Sequence, residues 1–195
     1  MNSFYREDEL QGLGFKSLGR DVKISKKAIF YEYEKIEIGD FSRIDDLCIV
    51  SGNVKIGRFV HVGVCSRLSG SMAGLTLKDF SGVSYNCTLI ANSDDYSGEF
   101  MTNPCIPMEY VKYIAEPVVL ERHALLGSHC LVTPGVTIAE GTAVGGMSLV
   151  LKDTDAWSIY VGTPAKRLKE RKKNILELEK EFRAKLERNN GVNGW

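Results

Sequence analysis

Aliphatic side chains recur at every sixth position along much of this chain. They form three runs: Ile38, Ile44, Val50, Ile56, Val62 and Leu68; then Leu77, Val83 and Leu89; then Leu120, Leu126, Val132, Ile138, Val144 and Val150. A period of six fits neither the 3.6-residue turn of an α-helix nor the alternation of a single strand. It fits a coil with three flat faces, each holding a short strand and one inward aliphatic side chain. The pattern therefore predicts an all-β solenoid.

Segments that lie 18 residues apart also align residue by residue. Residues 36–44 read IEIGDFSRI and residues 54–62 read VKIGRFVHV. A glycine or a small polar residue often follows the inward aliphatic residue, where we expect the corner to need unusual backbone angles. Leu18, Ile24, Phe30 and Ile36 extend the six-residue step, with a shift of register before Ile38. We therefore place the solenoid at 18–171, behind an N-terminal cap over 1–17.

The six-residue step is interrupted twice. Leu68 and Leu77 are nine residues apart instead of six, which predicts a small bulge within Ser69–Gly74. Leu89 and Leu120 are 31 residues apart, so about 25 extra residues protrude as a loop at about 94–115. Long loops inside compact domains are commonly functional. The aromatic residues and prolines of this loop predict an ordered arm.

The last segment, 172–195, reads as a helix and a tail. Ile175, Leu178, Phe182 and Leu186 are spaced by three, four and four residues. This spacing predicts one apolar stripe, packed on the solenoid or on a neighbouring subunit. We expect the tail at 189–195 to be frayed.

Composition narrows the functional classes. The 25 basic and 25 acidic residues balance, so no general attraction to nucleic acid or to a membrane is expected. The five cysteines include no CxxC pair, which is typical of reduced thiols in a cytoplasmic protein. The polar N-terminus does not resemble a secretory signal, and no apolar run reaches the ~20 residues of a membrane span. We therefore expect a cytoplasmic protein.

Three features together resemble the hexapeptide-repeat acyltransferases. They are the terminus Val161-Gly-Thr-Pro-Ala-Lys, the turn Thr133-Pro-Gly-Val and the loop ejected between coils. More narrowly, the chain resembles sugar O- and N-acetyltransferases of the galactoside/maltose acetyltransferase and polysaccharide-biosynthesis group. The resemblance implies a left-handed parallel β-helix, which is an exception to right-handed crossovers. It also implies a homotrimer with active sites between neighbours, acetyl-CoA as acyl donor and no metal.

The activity that this resemblance implies is direct attack of a sugar hydroxyl on the acetyl-CoA thioester. The sugar could be free, or linked to a nucleotide or a lipid, and surface polysaccharide (O-antigen or capsule) biosynthesis is the expected setting. Two alternatives stay open: N-acetylation of a nucleotide-linked amino sugar, and a catalytically degenerate trimeric binding protein. A zinc enzyme of the carbonic-anhydrase type uses the same solenoid but needs histidines close enough to share an ion. His123 and His129 are six residues apart and fall on adjacent faces, which disfavours it.

The general base has two sets of candidates. An imidazole is the natural base near neutral pH. The resemblance places a histidine at the root of the arm, but Asp94 stands there in this chain. The favoured interpretation makes His61 the base, with Asp94 and Asp95 orienting it or the sugar. Alternatively Asp94 or Asp95 is the base, which requires a raised carboxyl pKa, or the site is inactive.

The resemblance also suggests a coenzyme groove along the C-terminal coils. Ser128 and Gly146 would contact the pantetheine arm. The phosphates would meet three lysines, which are Lys152, Lys166 and Lys169. Asp45 and Asp46 could contact the sugar. We expect a structural or coenzyme-adjacent role for His129, and packing for His123 in the corner slot that Phe41, Phe59 and Phe80 occupy.

Overall fold

The computed structural model describes residues 3–188 and forms a three-sided prism. The described chain winds into a left-handed parallel β-helix of about seven turns, as the sequence predicts. The second face holds strands Lys23–Ile24, Arg43–Ile44, His61–Val62, Gly82–Val83, Leu125–Leu126, Ala143–Val144 and Ser158–Val161, closed by the antiparallel strand Lys166–Glu170.

The first and third faces belong to one sheet. First-face strands are Ser17–Leu18, Ile36–Ile38, Val118–Leu120 and Thr137–Ile138; third-face strands are Ile29–Tyr31, Thr88–Ile90, Leu131–Val132 and Leu149–Val150. Two long strands, Ile49–Ile56 and Arg67–Leu77, run through the corner between these faces and join them. We call the corner between the first and second faces the first corner, that between the second and third faces the second corner, and that between the third and first faces the third corner.

The aliphatic residues at six-residue spacing form the core. All fifteen are at most 2% exposed. Pairing between turns follows the repeat, since Ile38 pairs with Ile56 and Leu120 pairs with Ile138, each 18 residues on. Each inward side chain therefore stacks on its equivalent one turn away, and burial of this apolar column stabilises the prism.

The first turn departs from the simple repeat. A 3-10 helix, Tyr33–Lys35, adds two residues to it, so that Leu18 pairs with Ile38, 20 residues on. Ile36 is fully buried but does not continue the six-residue step from Phe30. It pairs instead with Val54 in a second inward position of the first face. The shift of register predicted before Ile38 is therefore an insertion at the third corner.

The left-handed backbone angles at the corners lie at a different position from the one we expected. Phe41, Phe59, Phe80 and His123 all have φ between 56° and 60° and occupy the first corner, three residues after the inward aliphatic residue. Their rings stack from turn to turn at centroid distances of 4.9, 4.9 and 5.4 Å. This stacking offsets the strain of a left-handed angle at a residue with a side chain.

The glycine next to the inward residue is needed for space rather than for φ. A Cβ on Gly39 would lie 2.7 Å from the backbone carbon of Gly57 in the next turn. Adjacent turns therefore approach so closely at this position that a side chain would push them apart.

Both interruptions of the repeat lie at the third corner. The three extra residues fall between Ser69, which pairs with Ser51, and Leu75, which pairs with Val54. The arm leaves the next turn through strand Asn92–Asp94 and returns through the antiparallel strand Tyr113–Ala115, with the 3-10 helix Met108–Tyr110 between them. The arm root therefore stands directly beside the bulge, as the bond from the Ala91 amide to the Ser69 carbonyl (2.8 Å) shows.

The two ends of the described chain are helical. Helix Glu7–Gln11 lies over the first turn, with Leu10 in the core. Helix Ile175–Arg188 packs on the first corner, where the Phe182 ring meets Phe59 edge-on at 5.2 Å. The expected stripe is wrong at Leu178, which is 59% exposed. The adjacent Glu179 takes the buried position, because its carboxylate meets basic side chains of the corner.

The tail at 189–195 lies outside the described residues. Within residues 3–188, no helix combines the length and the apolar character needed to cross a membrane.

Candidate active site

A column of small residues marks the outward side of the second face beside the second corner. It contains Asp45, Gly63, Ser84, Gly127 and Gly145, each directly after the inward residue of its turn. Three of the five are glycine, so this strip exposes backbone along most of its length. Ser84 presents a hydroxyl in the middle of the strip.

Ser128 and Gly146 border this column at the second corner, as the sequence led us to expect. The Ser128 hydroxyl donates to the Ser84 hydroxyl at 3.2 Å. Gly146 lies one turn further, and a Cβ on it would be 3.0 Å from the Ser128 carbonyl oxygen. Both positions lie at the prism edge, with Ser128 half-buried and Gly146 exposed. Backbone and hydroxyl groups are therefore available along this edge for a pantetheine chain.

His61 lies at the lower end of the same face, oriented by a carboxylate. Its Nε2 is 2.8 Å from Oδ2 of Asp45, while Arg43 donates from Nε to Oδ1 of Asp45 at 2.6 Å. Asp45 is 5% exposed, whereas the His61 side chain is 48% exposed. The residue that orients His61 is therefore Asp45; the expectation that Asp94 or Asp95 does so is wrong within one chain.

Asp94 and Asp95 lie at another edge of the prism. Asp94 ends the outgoing arm strand opposite Tyr113 and is half-buried. The carboxylate of Asp95 accepts bonds from the backbone amide and the hydroxyl of Ser97. The arm leaves at the third corner, whereas His61 lies on the second face. One chain therefore does not bring the histidine and the aspartates of the sequence prediction together.

The three lysines predicted to bind phosphate are all exposed and are spread over the last turn. Lys152 follows strand Leu149–Val150 at the third corner. Lys166 and Lys169 lie on the closing strand of the second face, opposite Val161 and Ile159. Lys166 is near the second corner, because the adjoining Ala165 amide donates to the Leu149 carbonyl at 2.8 Å. Within one chain, Lys166 is thus placed closest to the Ser128 edge.

His123 and His129 occupy equivalent positions at two corners. The buried His123 ring stacks on Phe80 and donates from Nε2 to Glu179 at 2.7 Å, which confirms the packing role. His129 is exposed at the second corner, where its amide donates to the Tyr85 carbonyl. Among residues 3–188, no three His, Cys, Asp or Glu side chains are arranged to hold a metal ion.

Two parts of this arrangement escaped the sequence. Ser84 was not singled out, although the 18-residue alignment places it after inward Val83 and in line with Gly63. Asp45 was considered as a sugar contact but not as the partner of His61. Its position one turn below the histidine, and two residues further along the face, is the signal that could have found it.

Several known proteins are similar to this chain over nearly its whole length. The dTDP-4-amino-4,6-dideoxy-D-glucose acyltransferase of Escherichia coli is 38% identical over 184 residues, which are 93% of this chain and 95% of that enzyme. The N-acyltransferase AntD of Bacillus cereus, in complex with dTDP and 3-hydroxybutyryl-CoA, is 43% identical with a TM-score of 0.94, covering 96% of this chain and all of that one.

Other structures of AntD carry substitutions. One is the S84C variant with dTDP-4-amino-4,6-dideoxyglucose and coenzyme A, at TM-score 0.93, 43% identity and coverage of 95% and 99%. Another is the D94N variant with dTDP and coenzyme A. A hexapeptide-repeat acetyltransferase of Vibrio cholerae, with acetyl coenzyme A, shares the fold at 20% identity and TM-score 0.59. No family model matches the chain.

These relatives agree on the class of reaction and on the donor. The E. coli and B. cereus proteins are acyltransferases that match this chain almost from end to end, and coenzyme A or an acyl-CoA is present in the AntD structures. The narrower likeness to the galactoside/maltose group stays a prediction. The chain belongs to the family of hexapeptide-repeat, acyl-CoA-dependent sugar acyltransferases.

Proposed function

We propose that this protein transfers an acyl group from acyl-CoA to the amine of a dTDP-linked amino sugar of the 4-amino-4,6-dideoxyglucose type. The observation that carries this proposal is the similarity to AntD, whose structure contains that sugar nucleotide and coenzyme A. N-acylation was the alternative to sugar O-acetylation in the sequence prediction. The relatives favour the amine over the hydroxyl.

An amine acceptor explains why an aspartate stands at the arm root. The amine nitrogen attacks the thioester carbonyl carbon, the C–S bond then breaks, and an amide and coenzyme A are formed. The nitrogen must lose one proton and the departing sulfur must gain one. After attack the nitrogen is positively charged and strongly acidic, so a carboxylate suffices to take its proton. A hydroxyl is a much weaker acid and gains more from an imidazole base.

We assign this proton transfer to Asp94 rather than to Asp95. Asp94 lies at the arm root and is half-buried, whereas the carboxylate of Asp95 is engaged by Ser97. AntD has been solved with substitutions at an aspartate numbered 94 and a serine numbered 84, and this chain has the same residue types at those numbers. Ser84 is therefore our candidate for a hydrogen bond to the sugar amine.

A complete site then requires two copies of the chain. Ser84 lies beside the second corner and Asp94 at the third corner of one prism, so they would meet across the contact between neighbours. Exposed Leu47, Tyr85 and Met147 along the second corner offer apolar surface for such a contact. We propose a homotrimer with three such sites. Ser128 and Gly146 would hold the pantetheine arm, and Lys152, Lys166 and Lys169 the phosphates of the coenzyme.

The two neighbouring carboxylates give a matched test of this assignment. Asp94→Asn should lower kcat for the dTDP-amino sugar about a hundredfold or more, because removal of a general base typically costs ~10²–10⁴. Asp95→Asn should leave kcat within a few-fold of wild type. Formation of the N-acylated nucleotide sugar is measured by mass spectrometry, and release of coenzyme A by thiol titration. Transfer to the hydroxyl-bearing analogue, with none to the amine, would contradict the proposed function.

A further inference from the structure

The contact between His61 and Asp45 is more ordered than a surface ion pair requires. Asp45 is nearly buried, and each of its carboxylate oxygens has a separate partner: Arg43 on Oδ1 and His61 on Oδ2. The Asp45 amide is itself fixed by a bond to the Val62 carbonyl at 3.0 Å. The carboxylate is thus held at both ends, and it holds the imidazole in one orientation.

This orientation decides what His61 can offer to a ligand. A carboxylate only accepts hydrogen bonds, so the imidazole donates to Asp45 through Nε2–H. In the neutral ring, Nδ1 then carries a lone pair and is an acceptor. Because the side chain is half-exposed, Nδ1 can receive a bond from a donor outside the protein.

The surface between His61 and Ser84 leaves room for such a donor. His61 pairs with Gly82 in the next turn, and Val62 pairs with Val83, so Gly63 lies directly below Ser84. Neither glycine contributes a side chain to the space between the imidazole and the serine hydroxyl. Neighbouring turns of a β-sheet are about 4.8 Å apart, which is close to the width of a sugar ring.

We propose that the Asp45–His61 pair binds a hydroxyl group of the acceptor sugar while Ser84 faces its amine. This inference rests on the proposed function, since it takes the acceptor to be an amino sugar with a neighbouring hydroxyl. His61 is a binding residue that accepts the hydroxyl proton at Nδ1. Asp45 is a positioning residue that fixes the tautomer and the angle of the ring.

Steady-state kinetics of purified variants, with acyl-CoA and dTDP-4-amino-4,6-dideoxyglucose, test this assignment. His61→Ala should raise KM for the sugar nucleotide about tenfold, the scale of one lost hydrogen bond, with kcat within a few-fold and KM for acyl-CoA unchanged. Asp45→Asn should raise the same KM, because the amide can donate to Nε2 and reverse the tautomer. Asp46→Asn is the matched control, since Asp46 bonds Ser25 and Lys27 instead, and its kinetics should stay at wild-type values.

An acceptor lacking the hydroxyl next to the amine provides the second readout. Wild type and His61→Ala should have similar KM values for this deoxy analogue, because the bond is absent in both. A hundredfold fall in kcat at unchanged KM in His61→Ala would make His61 the general base and overturn the inference. Unchanged kinetics in His61→Ala would overturn it too. Failure of wild type to acylate the amino sugar would instead overturn the proposed function, which separates the two.

Discussion

At the scale of single residues, Glu179 shows how a charge can replace an apolar side chain at a helix contact. It is 7% exposed and receives hydrogen bonds from Arg122, Arg183 and His123. Burial raises the pKa of Glu179, but these three bonds outweigh burial and lower the pKa to about 2. A buried charge is tolerable when its partners satisfy it, and leaving those partners unpaired is costly.

Glu179 should therefore make the C-terminal helix sensitive to acid. A carboxyl whose pKa falls from about 4.5 to about 2 on folding adds stability that is fully present above pH 4.5 and is lost as the pH falls toward 2. We expect Glu179→Gln to lower Tm by several degrees at pH 7, and the difference from wild type to shrink markedly near pH 3. Calorimetry at fixed protein concentration measures both.

Glu177→Gln is the matched control on the same helix. Its side chain is exposed and pairs with Lys180, so its Tm should stay close to that of wild type. An equal loss of Tm in the two variants at pH 7 would mean that Glu179 is not the residue that fixes the helix.

At the scale of elements, the arm is an insertion that the prism does not need for its own closure. On both sides of the arm the pairing of turns continues, since Leu77 pairs directly with Leu120 although 43 residues separate them. The arm has its own internal bonds, such as Met101 amide to Tyr110 carbonyl at 2.9 Å. Its outer part, 96–112, exposes aromatic and methionine side chains that include Tyr96, Met101 and Met108.

Replacing residues 96–112 by two glycines should therefore separate function from folding. The paired strands of the arm root, with Asp94 and Asp95, would remain. We expect turnover of the sugar nucleotide to be abolished, because the cover over the acceptor is removed, while far-UV circular dichroism and the oligomer mass stay unchanged. Unfolded or aggregated protein would show that the arm is a structural element.

At the scale of the whole molecule, the position of Ser84 and Asp94 on different edges has a consequence that can be measured. If each site takes its serine from one copy and its aspartate from the next, two inactive variants can repair one another. In a symmetric ring each contact is the same pair of surfaces, so every mixed contact has one orientation that restores both residues.

Mixing Ser84→Ala with Asp94→Asn should restore activity. After co-refolding at equal amounts, about a quarter of the sites in a random homotrimer would carry both native residues. The initial rate should approach that fraction of the wild-type rate, and light scattering should give a mass of about three chains. Activity that does not rise above that of the separate variants would place both residues in one chain and contradict the shared site.

The sequence was sufficient to predict the fold because a solenoid makes its contacts at fixed separations. Val132 meets Val150 one repeat later, so the spacing along the chain is also the spacing in space. The same logic found the edge that Ser128 and Gly146 share. It failed at Leu178, because apolar spacing cannot anticipate a carboxylate whose partners lie more than fifty residues earlier.

The sequence by itself determined the three-faced coil, the core residues, the bulge and the place where the arm leaves, since each is a regularity of one repeating period or a break in it. Only the tertiary structure decided which side chains face one another off that period. It gave His61 to Asp45, Glu179 to Arg122 and His123, and separated Asp94 from His61 by an edge of the prism. Those pairings depend on side-chain reach and burial across turns, which a linear pattern of apolar positions does not contain.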